Sequence, residues 1–202
     1  MKAGMDFWNK NAKRYDRFMR KDEAAYRQLY DLIRPLVRCK TVLELATGTG
    51  LIAKHIVSAA DMLEATDASP EMIDQARRDV CSAKLHFSVQ DMFRLPYAGG
   101  SFDVVIVSNA LHIVPEPEKA LAEIRRVLKP GGLLIAPTFT HAGNTLYGRV
   151  KAFCMKLAGF PLHSKWSSED YLAFLRRSGW TVRESRVLKA SFPLTYAVCV
   201  AD

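Results

Sequence analysis

The stretch from Thr41 to Gly50, TVLELATGTG, decides the fold of this chain. It begins as a short apolar run rich in β-branched residues, which is typical of a buried strand. It ends in Gly48 and Gly50, and the next stretch, LIAKHIVSAA, has a helical pattern. Glycines at a strand-to-helix turn let backbone N–H groups approach a ligand, and the helix N-terminus favours negative groups. The stretch therefore predicts an α/β fold with a ligand site after its first strand.

Strand-like and helical patterns alternate around this stretch. Further strands are predicted at 62–67, 85–91, 102–109 and 133–139, each separated from the next by a helical or loop stretch. Such alternation indicates parallel βαβ units with helices on both sheet faces. TVRESRVLKA and TYAVCVA then predict a closing antiparallel hairpin. We expect an α/β Rossmann-like fold: a seven-stranded, mostly parallel sheet with an antiparallel closing strand.

The length of 202 residues indicates one domain. We expect an N-terminal helical cap over residues 1–38, a cofactor-binding core over 41–140, and a lid helix with the closing strands over 141–202. Asp22 is predicted to cap the second helix of the N-terminal part. An apolar stripe at helical spacing marks the first helix, and its members are Trp8, Ala12, Tyr15 and Met19.

The net charge of +8 is unevenly distributed along the chain. Residues 1–40 carry 11 basic and 5 acidic side chains (+6), 41–140 carry 9 and 12 (−3), and 141–202 carry 9 and 4 (+5). Solvated helix faces account for this pattern, and so does a basic rim that attracts an acidic substrate, a nucleic acid or an anionic membrane. No basic run interleaved with aromatic residues is present, so we expect no nucleic-acid partner.

The cysteines show no metal-ligand or disulfide spacing; they are Cys39, Cys81, Cys154 and Cys199. No signal-like apolar stretch precedes the first helix, and the longest apolar segment, 102–114, is too short to span a bilayer. We therefore expect a cytoplasmic protein with no metal and no transmembrane segment. Residues 144–160 combine an apolar stripe with flanking basic residues, which suits a lid over the pocket or peripheral membrane contact.

The glycine loop alone does not identify a cofactor. Gly48-x-Gly50-x-x-Ala53 also satisfies a dinucleotide fingerprint, with Asp67 as the ribose carboxylate. The loop therefore leaves two functions open: an NAD(P)-dependent oxidoreductase and a non-catalytic cofactor-binding protein. Glu44, Asp67 and Asp91 lie in or after successive predicted strands, so three carboxylates gather along one sheet edge.

Four linked motifs make the chain resemble the class I S-adenosylmethionine-dependent methyltransferases, and particularly their ubiquinone/menaquinone-methyltransferase-like (type 11) group. The motifs are FWNKNAKRYD, VLELATGTG, ATDASPEMIDQAR and the stretch from QDMFRLP to KPGGLLI. The resemblance implies transfer of a methyl group from S-adenosyl-L-methionine to a small-molecule or lipid-like acceptor, with S-adenosyl-L-homocysteine as product. The basic chain ends favour an anionic or membrane-associated acceptor.

The resemblance also implies cofactor-binding roles for a set of residues along the sheet edge. These residues are Tyr15, Glu44, Ala46, Thr47, Gly48, Gly50, Asp67, Ala68, Asp91, Met92 and Asn109. Asp67 would accept from both ribose hydroxyls and Asp91 from the adenine amino group, which suits the acceptor capacity of a carboxylate. Glu44 and the glycine loop would lie beside the methionine part, under the helix that carries Tyr15.

Two positions leave questions for the structure. The family usually has Gly where this chain has Ala46, which costs on the order of 1 kcal/mol or more if the backbone there has positive φ. His112 follows the fourth strand and is the candidate general base, needed only if the methyl acceptor arrives protonated.

Overall fold

An eight-stranded sheet forms the middle of the computed structural model, which describes residues 2–78, 80, 82–140 and 163–202. Its parallel strands are β1 (Thr41–Leu45), β2 (Met62–Asp67), β3 (Leu85–Val89), β4 (Phe102–Val107) and β5 (Leu128–Ile135). The remaining strands are β6 (Thr138–Phe139), β7 (Trp180–Leu188) and β8 (Leu194–Ala201). The order is β3-β2-β1-β4-β5-β8, with β7 and β6 also paired to the antiparallel β8. The predicted Rossmann-like fold is confirmed.

The predicted strand 133–139 is divided into two. Ile135 of β5 pairs with Val198, and Thr138 of β6 pairs with Thr195 further along the same β8. Pro137 lies between them, and proline has no N–H to donate to the ladder. This interruption is why the described sheet has eight strands where seven were predicted.

Helices cover both faces of the sheet. They are α1 (Lys2–Met19), α2 (Glu23–Ile33), α3 (Leu51–Ile56), α4 (Pro70–Ala76), α5 (Pro117–Val127) and α6 (Ser168–Arg177), with a 3-10 turn at Arg20–Asp22. Alternate residues of β4 point to opposite sides, as strand geometry requires. Val104 and Ile106 join the core with α2, α3 and α4, whereas Val105 and Val107 join the core with α5 and α6.

Two helices begin at serine caps. Ser69 Oγ accepts a hydrogen bond from Met72 N at 3.1 Å, with Pro70 in the first turn of α4. Ser167 and Asp170 form a reciprocal capping box at the start of α6. The boundaries of both helices therefore follow from local sequence.

The predicted capping role of Asp22 is wrong. Asp22 occupies the N-cap position of α2, but its side chain makes no cap hydrogen bond and its φ of −106° and ψ of 15° depart from the extended cap conformation. The carboxylate instead accepts from the backbone N and the hydroxyl of Ser191, each at 2.6 Å, in the turn between β7 and β8. The 3-10 turn thus directs Asp22 inward, where it joins the N-terminal helices to the closing hairpin.

Several predictions fall outside the described residues. The helix at 144–160, whether lid or membrane contact, cannot be compared with the structure, and neither can Cys81 or Cys154. The division of the chain at residues 38 and 141 stays a prediction. Among the described helices, none has both the length and the apolar character needed to cross a membrane.

The backbone of Gly50 lies so close to the ring of Phe87 that no residue with a side chain would fit there. Its φ is +79°, and a Cβ built on it would lie 2.7 Å from Cζ of Phe87 in β3. Both the backbone conformation and the neighbouring ring therefore require glycine at the start of α3.

We expect Gly50→Ala to lower the free energy of unfolding by roughly 2–4 kcal/mol, because left-handed strain and overpacking add together. Gly100→Ala is the matched control, since Gly100 has φ +68° and no atom within 4 Å of a Cβ. It should lose only about 1 kcal/mol, the cost of the backbone conformation. Urea denaturation measures both values, and equal losses would contradict the contact with Phe87.

Candidate functional site

A narrow, partly open cleft lies at the carboxyl ends of β1 and β4. This edge of an open α/β sheet is where ligands bind. Its lining residues are Tyr15, Tyr26, Glu44, Ala46, Thr47, Leu51, Ile52, Ser108 and Asn109. The structure therefore brings together Tyr15 of α1, Glu44 of β1, the start of the glycine loop and Asn109, all of which the sequence analysis selected.

The glycine loop is attached to the end of β2 by a carboxylate. Gly48 N donates to Asp67 Oδ2 and Ser69 N donates to Asp67 Oδ1, each at 2.9 Å. Burial raises the pKa of Asp67, and the backbone N–H groups of Ser69 and Gly48 oppose that rise. A carboxylate has about four acceptor positions, so each oxygen retains capacity for a hydroxyl donor.

Glu44 is a buried acid whose carboxyl group is only partly hydrogen-bonded. Its residue is 2% exposed, and its Oε2 and the Thr47 hydroxyl make no hydrogen bond to any described atom. Burial raises the pKa of Glu44 to about 8, against the opposing effects of the nearby Thr47 hydroxyl and the Ala53 backbone N–H. A buried polar atom of this kind is costly unless it is paired. A cationic group in the cleft would supply the missing partner.

Ala46 adopts the conformation that the family's glycine would adopt more easily. Its φ is +51°, so the residue at the exit of β1 lies in the left-handed region. The condition for strain is met, because an alanine Cβ there comes too close to the following carbonyl oxygen.

Asn109 connects three elements at the other side of the cleft. Its Nδ2 donates to the Tyr26 hydroxyl at 2.8 Å, and its Oδ1 accepts from Phe139 N at 2.9 Å. Its φ of +52° is one that asparagine tolerates better than most residues. Asn109 thus holds α2 and β6 against the end of β4, a structural role that the sequence did not reveal.

Aromatic rings form one wall of the cleft. Tyr15 packs edge-to-face on Trp8 with centroids 6.1 Å apart, and a Cβ on Gly48 would lie 3.4 Å from its ring. Tyr26 was not selected from sequence as a site residue, because its place in the stripe of α2 indicates core. Burial raises its pKa well above the usual value, so its hydroxyl stays protonated. Leu51, Ile52 and Ser108 were also missed.

Seven predicted site residues lie outside the lining of the cleft: Gly48, Gly50, Asp67, Ala68, Asp91, Met92 and His112. Asp91 is exposed, and its Oδ1 accepts from Phe93 N at 2.9 Å. His112 is buried, with Nδ1 2.8 Å from the Thr138 hydroxyl. The cofactor and catalytic roles of these residues stay predictions.

Comparison with known proteins identifies the family. A protein-family model described as "Methyltransferase domain" matches residues 43–136 of this chain. A demethylmenaquinone methyltransferase of Clavibacter sepedonicus is 36% identical over 168 residues, covering 74% of this chain and 69% of the relative. The chain belongs to the S-adenosylmethionine-dependent methyltransferases. The predicted family and its cofactor are thereby confirmed, and an NAD(P)-dependent oxidoreductase is not favoured.

Other similarities of this methyltransferase are partial or concern the fold. A demethylmenaquinone methyltransferase of Renibacterium salmoninarum is 40% identical over 100 residues, covering 50% of this chain and 41% of the relative. The chain spans 41–62% of the length of several curated relatives that it matches. A chain from the complex between the Haloferax volcanii Trm112 methyltransferase activator and a methyltransferase has a TM-score of 0.83 at 23% identity, covering 98% of this chain and 97% of that one. This last likeness shows the shared fold.

We expect the stability of the methyltransferase to fall as pH rises from about 5 through about 8. Folded Glu44 binds its proton more tightly than unfolded Glu44, because its pKa is raised from 4.5 to about 8. The stability that comes from protonated Glu44 is therefore fully present below the pKa of Glu44 in the unfolded chain. It is lost as pH rises through the pKa of Glu44 in the folded protein.

Glu44→Gln should remove most of this fall, a difference of a few kcal/mol at about 1.4 kcal/mol per pKa unit. Urea denaturation across this pH range tests it, with the exposed Glu71→Gln as control. Parallel pH profiles of wild type and Glu44→Gln would contradict the assignment.

Ala46→Gly should raise the free energy of unfolding by about 0.5–1 kcal/mol. Relief of left-handed strain exceeds the added flexibility of the unfolded chain. Ala24→Gly, at an exposed site in α2, should instead lower stability by about 1 kcal/mol. Denaturation midpoints decide between these signs, and a loss at both sites would show that Ala46 is unstrained.

Proposed function

We propose that this methyltransferase transfers the methyl group of S-adenosyl-L-methionine to a quinone-like small molecule in its reduced, hydroxyl-bearing form. The observation that carries the proposal is the cleft itself, in which a buried acid with one oxygen lacking a partner lies beside aromatic and apolar side chains. The acceptor class is supported by the relatives from Renibacterium and Clavibacter, whose name gives demethylmenaquinone as their substrate.

The cofactor suits the polar groups of the site. Glu44 would pair with the methionine ammonium group, and the free acceptor capacity of Asp67 would take the ribose hydroxyls. When bound, the cofactor supplies a methyl group attached to a positively charged sulfur. Transfer of this methyl group leaves a neutral thioether. The acidic balance of residues 41–140 is compatible with such a cation.

Binding would change the charge of Glu44. With a pKa of about 8, most of this carboxyl is protonated at neutral pH. An ammonium partner favours the ionised form, so cofactor binding would release a proton from Glu44. Below neutral pH this coupling weakens binding, since the proton then competes with the cofactor.

The other side of the cleft suits a flat, apolar acceptor. Tyr15 and Tyr26 offer ring surfaces, and Leu51 and Ile52 add aliphatic contacts. Aromatic groups pack well against such rings and exclude water. The contribution of the chain would then be to hold the acceptor nucleophile in line with the methyl carbon, at about 3–3.5 Å.

A base is required only to take the acceptor's hydroxyl proton. We retain His112 as this base, although it lies outside the cleft lining. Its Nδ1 faces Thr138, which would orient the ring. The anionic character of the acceptor, a non-transmembrane cytoplasmic location and peripheral membrane contact of residues 144–160 remain predictions of the sequence.

We expect Asp67→Ala to weaken S-adenosyl-L-homocysteine binding by about 100-fold or more, because two charge-assisted hydrogen bonds to the ribose are lost. His112→Ala should lower turnover by a smaller factor. Calorimetry measures the first effect, and transfer of labelled methyl groups to a reduced prenylated naphthoquinone measures the second.

The control is Asp61→Ala, an exposed aspartate at the other end of β2, which should leave cofactor affinity unchanged. Methylation of the naphthoquinol ring by the wild type, seen by mass spectrometry, supports the proposal. Cofactor binding without methylation of any quinol would overturn the acceptor class, and the reverse ranking of Asp67 and His112 would contradict the assignment of their roles.

A further inference from the structure

The helix α1 has two faces of opposite chemistry. Ala12 and Met19 are buried against the protein, and Tyr15 on the same side lines the cleft. Among the side chains that the structure describes here, those exposed on the other side are basic: Lys10, Lys13, Arg17 and Arg20. Their spacing of three, four and three residues places them in one row along the helix and the turn that follows it.

These four cations have no acidic partner among the described residues. The six ion pairs found among the described residues lie elsewhere, for example Arg27–Glu23, Arg34–Asp31 and Lys119–Glu116. The segment 2–21 has seven basic residues against Asp6 and Asp16. A row of like charges on one helix face is slightly unfavourable, and its positive field attracts a partner of opposite charge.

The shape of the row indicates the kind of partner. From Lys10 to Arg20 it extends about 15 Å at helical rise, which is too long for a single small anion. The row is straight and lies on an exposed helix, so it can contact a flat surface with all its charges at once. An anionic bilayer offers such a surface, and each Lys or Arg near it adds to binding.

We propose that the basic face formed by Lys10, Lys13 and Arg17 of α1 and by Arg20 of the following turn docks on the surface of an anionic phospholipid membrane. The docking is electrostatic and needs no apolar insertion, because the apolar side of α1 faces the protein. The same helix therefore provides a wall of the cleft on one side and the membrane contact on the other. A membrane-dissolved acceptor then has a short path to the site.

Cosedimentation with lipid vesicles tests the docking without any turnover, so its failure is distinguishable from failure of the proposed methyl transfer. The wild type should bind vesicles of phosphatidylcholine with about 30% phosphatidylglycerol and leave pure phosphatidylcholine vesicles unbound. Raising the salt to about 0.5 M should abolish the binding, because it is screened.

The deciding variant changes Lys10, Lys13, Arg17 and Arg20 to Gln, a good helix former. Since each cation contributes about fivefold, the four changes should weaken vesicle binding by about 100-fold or more. The charge-matched control is the quadruple Gln variant of Arg176, Arg177, Arg183 and Lys189, which are exposed on α6, in β7 and directly after β7. It should bind almost as the wild type does, and thermal unfolding by circular dichroism confirms that both variants fold.

Three outcomes would overturn the proposal. They are equal loss of binding in both quadruple variants, equal binding of the wild type to neutral and anionic vesicles, and absence of vesicle binding by the wild type. A random oligonucleotide is included as a second probe: if only that probe binds, and only through α1, the row is a nucleic-acid contact.

Discussion

The hydrogen bond between Gly48 N and the Asp67 carboxylate is the contact on which the site depends. It joins the loop after β1 to the end of β2, and the second oxygen of Asp67 accepts from Ser69 N where α4 begins. The parallel pairing of β1 with β2 and β4 brings these ends together. Because the loop is held on the side of β2, it leaves a space beneath α1, and that space is the cleft.

The N-terminal helices close this space through polar contacts of long sequence separation. Asn109 bonds to Tyr26, and Asp22 bonds to Ser191 in the turn of the closing hairpin. Both contacts attach the helices to the carboxyl end of the sheet. The arrangement keeps Tyr15 over the glycine loop and turns the basic side of α1 to solvent.

Much of this could be predicted from local patterns. The strand pattern of 41–45, the glycine turn and the caps Ser69 and Ser167 depend on neighbouring residues, and the structure has them where the sequence places them. The sequence shows Pro137, but it does not show that this proline divides the predicted strand 133–139 into two strands. Tyr26 is in the core, as its helical stripe indicates, but its second role in the cleft was missed, and the cap predicted for Asp22 was wrong. The polar partners of these residues, Asn109 and Ser191, lie 83 and 169 residues away.

The sequence by itself determined the family, the α/β order of elements and the carboxylates along the sheet edge, because these follow from periodicity, glycine spacing and linked motifs. Only the tertiary structure decided that Ala46 has positive φ, that Glu44 lacks a partner for one oxygen, and that Asn109 supports Tyr26. Backbone strain and the environment of a buried charge depend on atoms brought together from distant parts of the chain, and no local pattern of residues encodes them.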